Sequence, residues 1–375
     1  MLDTFREWYD HRHDYARDWK ARHPGGKVLG YFCTYVPEEL LYAADVLPVR
    51  ILGSHEPQSV TEPHIFGMFC PFCRDCLAQG LQGRYDYLDG IMESQSCLHL
   101  RQAFTSWKTH VPTSFAYYLP MPHGIQSDRT YPYLAAELQT FKTALEQWVG
   151  RTITTEDIDR GIEIMNTSRR LTKQIYETRK ADAPPLSGQE SLYMVTSSQM
   201  VDKREHNRML EETLTRLPQR TPNGNGGYRL MTLGSENDDI EFVQMVEKLD
   251  ATVVIDEHCT GTRYFWNEVE PQEDRLLAIA SRYIDRPPCP SKDWPIHTRI
   301  PHIVNLVKEW RAAGVLLMQQ KFCDPHEFDM PIIAQELKKI GIPTYFLELD
   351  ATLPVGQFKI RVEAFLEMLG AEDLF

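Results

Sequence analysis

An α/β fold with two mainly parallel sheets is predicted for this chain, on three observations: short apolar strands alternate with helical segments in two separate stretches, a long helical block lies between them, and cysteines stand at the ends of several strands. A length of 375 residues suits two or three domains. We expect an N-terminal helical segment over 1–24, a first α/β domain over 25–131, a helical bridging region over 132–218 and a second α/β domain over 219–375.

The first cycle opens with KVLGYFCTYV at 27–36, a short apolar strand. PEELLYAADVLPVRIL at 37–52 then reads as a helix with Pro37 in its first turn, running into a second extended segment. YDYLDGIMES at 85–94 and TSFAYYLPMP at 113–122 supply two further strands. From about 132 to 215 the periodicity is helical; Thr154 precedes an acidic first turn, and PPLSG at 184–188 separates two helices. QRTPNGNGGY at 219–228 is rich in turn formers and marks a boundary.

The second cycle places strands at 228–235, 251–258, 314–322 and 342–349. Helices are expected over NDDIEFVQMVEKLD, 269–282, IPHIVNLVKEWRAAG, PIIAQELKKIG and 357–370. Such alternation implies a parallel sheet covered on both faces, whose chemistry belongs beyond the C-terminal ends of the strands.

Several classes are disfavoured by composition. No apolar run approaches the roughly 20 residues of a membrane span, and the charged, aromatic N-terminus lacks a secretory signal, so a cytoplasmic protein is expected. Lys and Arg number 40 against 53 acidic residues, and the net charge of −13 argues against nucleic acid as a partner. No G-x-x-x-x-G-K-[ST] loop is present, so ATP hydrolysis is not expected of this chain.

Eight cysteines without an export signal point to thiols or metal ligands rather than a disulfide framework. Cys97, Cys259 and Cys323 each follow a predicted strand. A lone buried cysteine is as often an inert small hydrophobe, but repetition at equivalent positions weakens that reading. Cys70, Cys73 and Cys76 form FCPFCRDC, which lacks both the second pair of a zinc site and the nearby fourth Cys and Pro of a ferredoxin module. Thiolates favour iron–sulfur clusters or zinc over hard cations, and fewer than four protein thiolates leave one iron open to another ligand.

The segments GYFCTYVPEELLYAADVLPVR, FCPFCRDCLAQGLQGRYDYLDGI, SCLHL, DEHCTGTRYFWNEV, KFCDPHEFDMP and LELDATLPVGQFKIRVEAFLEML together resemble the benzoyl-CoA reductase and 2-hydroxyacyl-CoA dehydratase family. The resemblance runs from about residue 25 to the C-terminus and implies two Rossmann- or flavodoxin-like domains with additional helices. Carried over position by position, it implies that Cys70, Cys97 and Cys323 bind a [4Fe–4S] cluster between the domains. The aromatic-rich segments are most similar to a smaller cluster-binding subunit, of C or N type, of an ATP-dependent benzoyl-CoA reductase.

That resemblance implies a heteromer for anaerobic aromatic degradation. A homologous cluster-binding subunit completes the substrate site, and ATPase subunits using ATP and Mg2+ pass electrons from reduced ferredoxin to benzoyl-CoA or another acyl-CoA. Glu39, His258 and Tyr264 are candidate proton donors, and Tyr35 and Trp266 candidate ring-pocket residues. The competing readings are a helix-charging Glu39, a satisfied core His258 and aromatics that only pack. Cys33, Cys259 and Cys289 resemble the extra thiols of family members with a double-cubane cluster, but the additional Cys-Pro segment between Cys76 and Cys97 is missing. A single [4Fe–4S] cluster is therefore expected. The alternatives are a 2-hydroxyacyl-CoA dehydratase subunit, or a non-catalytic electron-transfer or scaffold subunit.

Overall fold

A computed structural model describes residues 2–125, 127–221, 227–293, 297–350 and 355–372 of the chain. Half of the turn-rich segment expected as a boundary, and the middle of the closing LELDATLPVG motif, fall outside the described residues.

Among the described residues eight strands form two four-stranded sheets, each wholly parallel. The first contains β1 (Lys27–Tyr31), β2 (Val46–Arg50), β3 (Gly90–Ser94) and β4 (Phe115–Leu119) in the order β2-β1-β3-β4. The second contains β5 (Tyr228–Gly234), β6 (Ala251–Glu257), β7 (Gly314–Gln320) and β8 (Thr344–Leu349) in the order β6-β5-β7-β8. Both therefore follow one plan, in which the first strand is central and the chain reverses direction across the sheet between its first and third strands. That reversal opens a crevice beyond the carboxyl ends of β1 and β3 and of β5 and β7, where an α/β sheet offers its binding site.

Burial explains why these strands read as continuous apolar runs. Every residue of β2, β3 and β7 is buried, as expected where helices cover both faces. Several expected boundaries move for local reasons. The strand expected over 27–36 stops at Tyr31, and a turn with Val36 N–H donating to Cys33 O at 3.1 Å re-aims the following thiol. The strand expected over 85–94 is confined to Gly90–Ser94, because the Asp89 carboxylate accepts from Val28 N–H at 2.8 Å and ends the preceding turn. The helix expected over 269–282 runs from Arg275 to Asp285, capped by Asp274, which accepts from the amides of Leu276 and Leu277.

The helical block is pinned by its caps. Thr154 and Asp157 form a reciprocal capping box ahead of Thr155–Glu177, and Ser187 and Glu190 form another ahead of Gly188–Ser198. At Gly161 the first of these helices lies so close to Glu38–Ala43 that a Cβ would sit 2.1 Å from the Glu39 carbonyl. The N-terminal helices are tied to the same block by Trp19 Nε1–H donating to Asp202 at 3.2 Å and Tyr15 O–H donating to Glu205 at 2.9 Å. Among the described residues no helix is long and apolar enough to cross a membrane.

An ion pair joins the two sheets' loops: His55, after β2, lies 3.1 Å from the carboxylate of Asp238, after β5. Asp238 holds the His55 imidazolium at about 9, above its ordinary 6.5, against the opposing effect of burial. The raised folded-state value means that this contribution is complete below about pH 6.5 and is lost as pH rises through about 9. Thermal melts across that window should therefore show falling stability, with a flatter profile in His55→Gln. Identical slopes in the two proteins would refute the clamp.

Candidate metal centre

Helix starts and strand ends deliver the thiols. Cys70 immediately precedes the helix Pro71–Leu81, Cys97 caps Leu98–His110, and Cys323 precedes Asp324–Lys339. At the second of these the Leu100 amide donates to Cys97 Sγ at 3.5 Å. The positive dipole end of each helix acts in favour of a thiolate, but at Cys97 and Cys323 burial outweighs it. Cys33 follows β1 and Cys259 follows β6, while Cys289 precedes the short turn Pro290–Lys292. The Cys289 amide donates to the Tyr35 hydroxyl at 3.1 Å, which holds that loop against the first sheet.

The two crevices face a common cavity whose lining includes Cys33, Cys70, Cys97, Cys259, Cys289 and Cys323. Thus six of the eight cysteines reach one space. Phe72, Leu100 and Pro325 supply its apolar wall, and Arg50, Ser96, Glu236 and Gln320 its polar one. Cys73 and Cys76 are fully buried and do not line it; their thiols donate to the carbonyls of Cys70 at 3.1 Å and Ile51 at 3.5 Å.

Thiol chemistry differs around the cavity. The neighbouring Cys73 thiol, with His99 assisting and burial opposing, holds Cys70 well below the usual thiol range. Burial pushes Cys33 up to about 12 and raises Cys97 and Cys323 well above the ordinary value. Most of these groups are neutral thiols unless a bound cation displaces their protons, which is how thiolate sites couple metal binding to ionisation. A donor set dominated by soft thiols, three of them at helix N-termini, fits an iron–sulfur cluster or zinc better than a hard cation.

A tighter local trio, Cys70, Cys73 and His99, offers ligand atoms within 4.8 Å of one another. Two of its members are engaged elsewhere, since the Cys73 thiol donates to the Cys70 carbonyl and His99 Nδ1 accepts from the Cys70 amide at 3.1 Å. The wider cavity is the larger candidate centre, with six thiols around its wall.

The other residues singled out in the sequence lie away from this lining. Glu39 is fully buried in an ion pair with Arg169 at 2.5 Å and accepts from the Tyr283 hydroxyl at 3.0 Å. His258 Nδ1 meets the Ser235 carbonyl at 2.7 Å, and its ring faces a separate cavity beside Asp256 and Thr260. Tyr264 donates to Glu38 at 2.6 Å. Tyr35 stands behind Cys289 with the Arg286 guanidinium 4.5 Å from its ring centre. Trp266 lines a distinct open pocket with Tyr131, Arg286 and His302.

Sequence reasoning passed over Arg50 and Glu93, and left Cys33, Cys259 and Cys289 without a role. The signal for Glu93 was a single acid within an apolar strand; burial pushes its carboxyl up to about 8, and it accepts from the Ser96 hydroxyl at 2.9 Å. Arg50 ends the apolar VLPVR strand and is 1 % exposed.

Two like-ordered parallel sheets with a shared, cysteine-lined crevice define a two-domain α/β protein whose candidate site is a cluster of thiols suited to a soft metal. The chain belongs to the 2-hydroxyglutaryl-CoA dehydratase D-component family, whose model matches residues 33–369. It is 25% identical over 343 residues to the C subunit of benzoyl-CoA reductase from Thauera aromatica, covering 88% of this chain and 86% of that one. It is also 25% identical over 346 residues to the (R)-phenyllactyl-CoA dehydratase beta subunit of Clostridium sporogenes, covering 92% of each. A third relative, the (R)-2-hydroxyglutaryl-CoA dehydratase beta subunit of Acidaminococcus fermentans, is 24% identical over 357 residues, 93% of this chain and 94% of that one. Each relative is one subunit of an enzyme acting on a CoA thioester.

Proposed function

We propose that the chain is the iron–sulfur subunit of an ATP-dependent benzoyl-CoA reductase, working in a heteromer with a homologous cluster-binding subunit and with ATPase subunits that take electrons from reduced ferredoxin. The observation that carries this reading is the convergence of Cys70, Cys97 and Cys323, all at helix N-termini, on one crevice between the sheets. A [4Fe–4S] cluster on these three thiolates supplies single low-potential electrons. Two electrons and two protons added to the thioester-activated ring give a cyclic diene-carbonyl-CoA. Phe72, Leu100 and Pro325 keep water from the centre, which strengthens every electrostatic interaction there.

The aromatic-rich segments favour reduction, while relatives of equal identity support dehydration of a 2-hydroxyacyl-CoA, in which the electron is recycled. Ferredoxin oxidised per acyl-CoA consumed separates the two in the anaerobically purified complex. Reduction requires two electrons for every benzoyl-CoA. Turnover of a 2-hydroxyacyl-CoA with only trace ferredoxin oxidation would reject the reductase in favour of the dehydratase.

The presence of Cys33, Cys259 and Cys289 in the same cavity favours a second reading of the cofactor, with iron held by all six thiols. Iron analysis distinguishes them: about four irons per chain follow from one [4Fe–4S] cluster, and clearly more from the larger site.

A further inference from the structure

Two buried guanidinium groups come from the ends of different sheets, Arg50 on the cavity wall and Arg263 in the turn that follows Cys259. Arg50, at the end of β2, lines the cavity directly and is 1 % exposed; Arg263, in the short helical turn Thr262–Phe265 after β6, is completely buried. Arg50 Nη2 donates to Glu236 at 2.9 Å and Nη1 to Gln199 at 3.3 Å, but its Nε–H finds no acceptor. Arg263 Nη2 donates to the Gly234 carbonyl at 2.8 Å, and its Nε lies 3.4 Å from Glu257, yet Nη1 has no acceptor. Glu257 is shared, because Arg299 binds its other oxygen at 2.5 Å. Buried guanidinium donors without acceptors are costly, and burying the charge itself costs several kcal/mol per ion.

Neutral thiols would do little to offset that cost. An iron–sulfur centre would, since its thiolates and sulfides are anionic and accept hydrogen bonds, and both charge and hydrogen bonding set a cluster's potential. Electrostatic coupling would run the same way: against the opposing effect of burial, Glu236 raises Arg50, with Cys33 and Cys259 adding to it once a bound centre ionises them, and Cys259 and Cys289 would then raise Arg263.

We propose that Arg50 and Arg263 are positioning residues that supply the countercharge of the cavity's iron–sulfur centre, pairing their unsatisfied N–H groups with its sulfur and raising its midpoint potential. The proposal rests on the iron–sulfur reading above. Reduction adds negative charge, so a nearby cation favours the reduced state, and its removal makes reduction harder.

The test is an anaerobic redox titration, followed by electron paramagnetic resonance, of purified protein with its iron counted. Arg50→Met leaves Glu236 buried without its partner, so it is also made in a Glu236→Gln background and compared with Glu236→Gln alone. Arg263→Met is treated in the same way with Glu257→Gln. Arg282, buried but donating to the Tyr264 and Asn267 carbonyls instead, provides Arg282→Met as the control. The expected result is a fall of about tenfold or more in the reduction equilibrium constant, a potential lower by about 59 mV for one electron. Arg50→Lys, which keeps the charge, should recover most of that shift. Loss of iron from a folded Arg50 or Arg263 variant, while Arg282→Met retains it, would equally support the countercharge. Full iron content with a potential unchanged within twofold in that constant would overturn the proposal. An iron-free wild-type protein would instead reject the iron–sulfur reading itself, before any variant is considered.

Discussion

Cys97→Ala and Cys323→Ala are expected to lose iron while keeping the fold, and Cys70→Ala to do the same. Each thiol stands at a helix start facing the shared cavity, so its removal deletes a proposed ligand without opening the middle of either sheet. Changes to residues that only support metal ligands already cost about 10–100-fold in metal affinity, and removal of a ligand should cost at least as much. Cys73→Ala and Cys76→Ala are the matched controls, since they lie in the same segment but point into the protein. Those two should keep their iron and lose stability only by a packing change of about 1 kcal/mol. Anaerobic iron analysis and the resonance signal of the separate variants decide the matter. Wild-type values in any one of the first three would remove that cysteine from the site.

Arg169→Met should destabilise the protein by about 3 kcal/mol, because it leaves the carboxylate of Glu39 buried without its ion-pair partner, with only the Tyr283 hydroxyl and the more distant Arg282 charge to hold it. Both side chains are almost wholly enclosed, 2.5 Å apart, and Arg169 also donates to Asn166 at 3.1 Å. Burial acts to raise the Glu39 carboxyl, but Arg169 and Arg282 overcome it and hold the group below its ordinary value, so it is ionised at neutral pH. Replacing both members, as Glu39→Leu with Arg169→Met, should recover much of the loss, since an apolar pair of similar volume avoids the desolvation cost. Urea denaturation of the single and double variants measures both steps. A loss under about 1 kcal/mol for Arg169→Met would show that Glu39 is not a held carboxylate, and would reopen its candidacy as a proton donor.

Local signals in the chain were strong where local physics decides. The apolar runs GIMES and GVLLMQQ are buried throughout as strands of parallel sheets, and the Thr154 and Ser187 starts are reciprocal capping boxes. Boundaries were less legible where a side chain far along the sequence intervenes. Asp89 ends one turn by capturing the Val28 amide across 61 positions, and nothing near Asp89 announces that contact. Candidate site residues divide similarly: the strand-end and helix-start cysteines reach the cavity, whereas Glu39 and Tyr264 are absorbed into buried pairs with Arg169 and Glu38.

By itself the sequence determined two parallel-sheet cycles, the helical block between them and the placement of thiols after strands, because periodicity, turn residues and capping act within a few positions. Only the tertiary structure decided that Cys33, Cys259 and Cys289 share a cavity with Cys70, Cys97 and Cys323, and that the buried Arg50 stands on its wall. Strand order and the facing of two crevices depend on contacts between residues far apart in the chain, and no local pattern encodes which strand ends will meet.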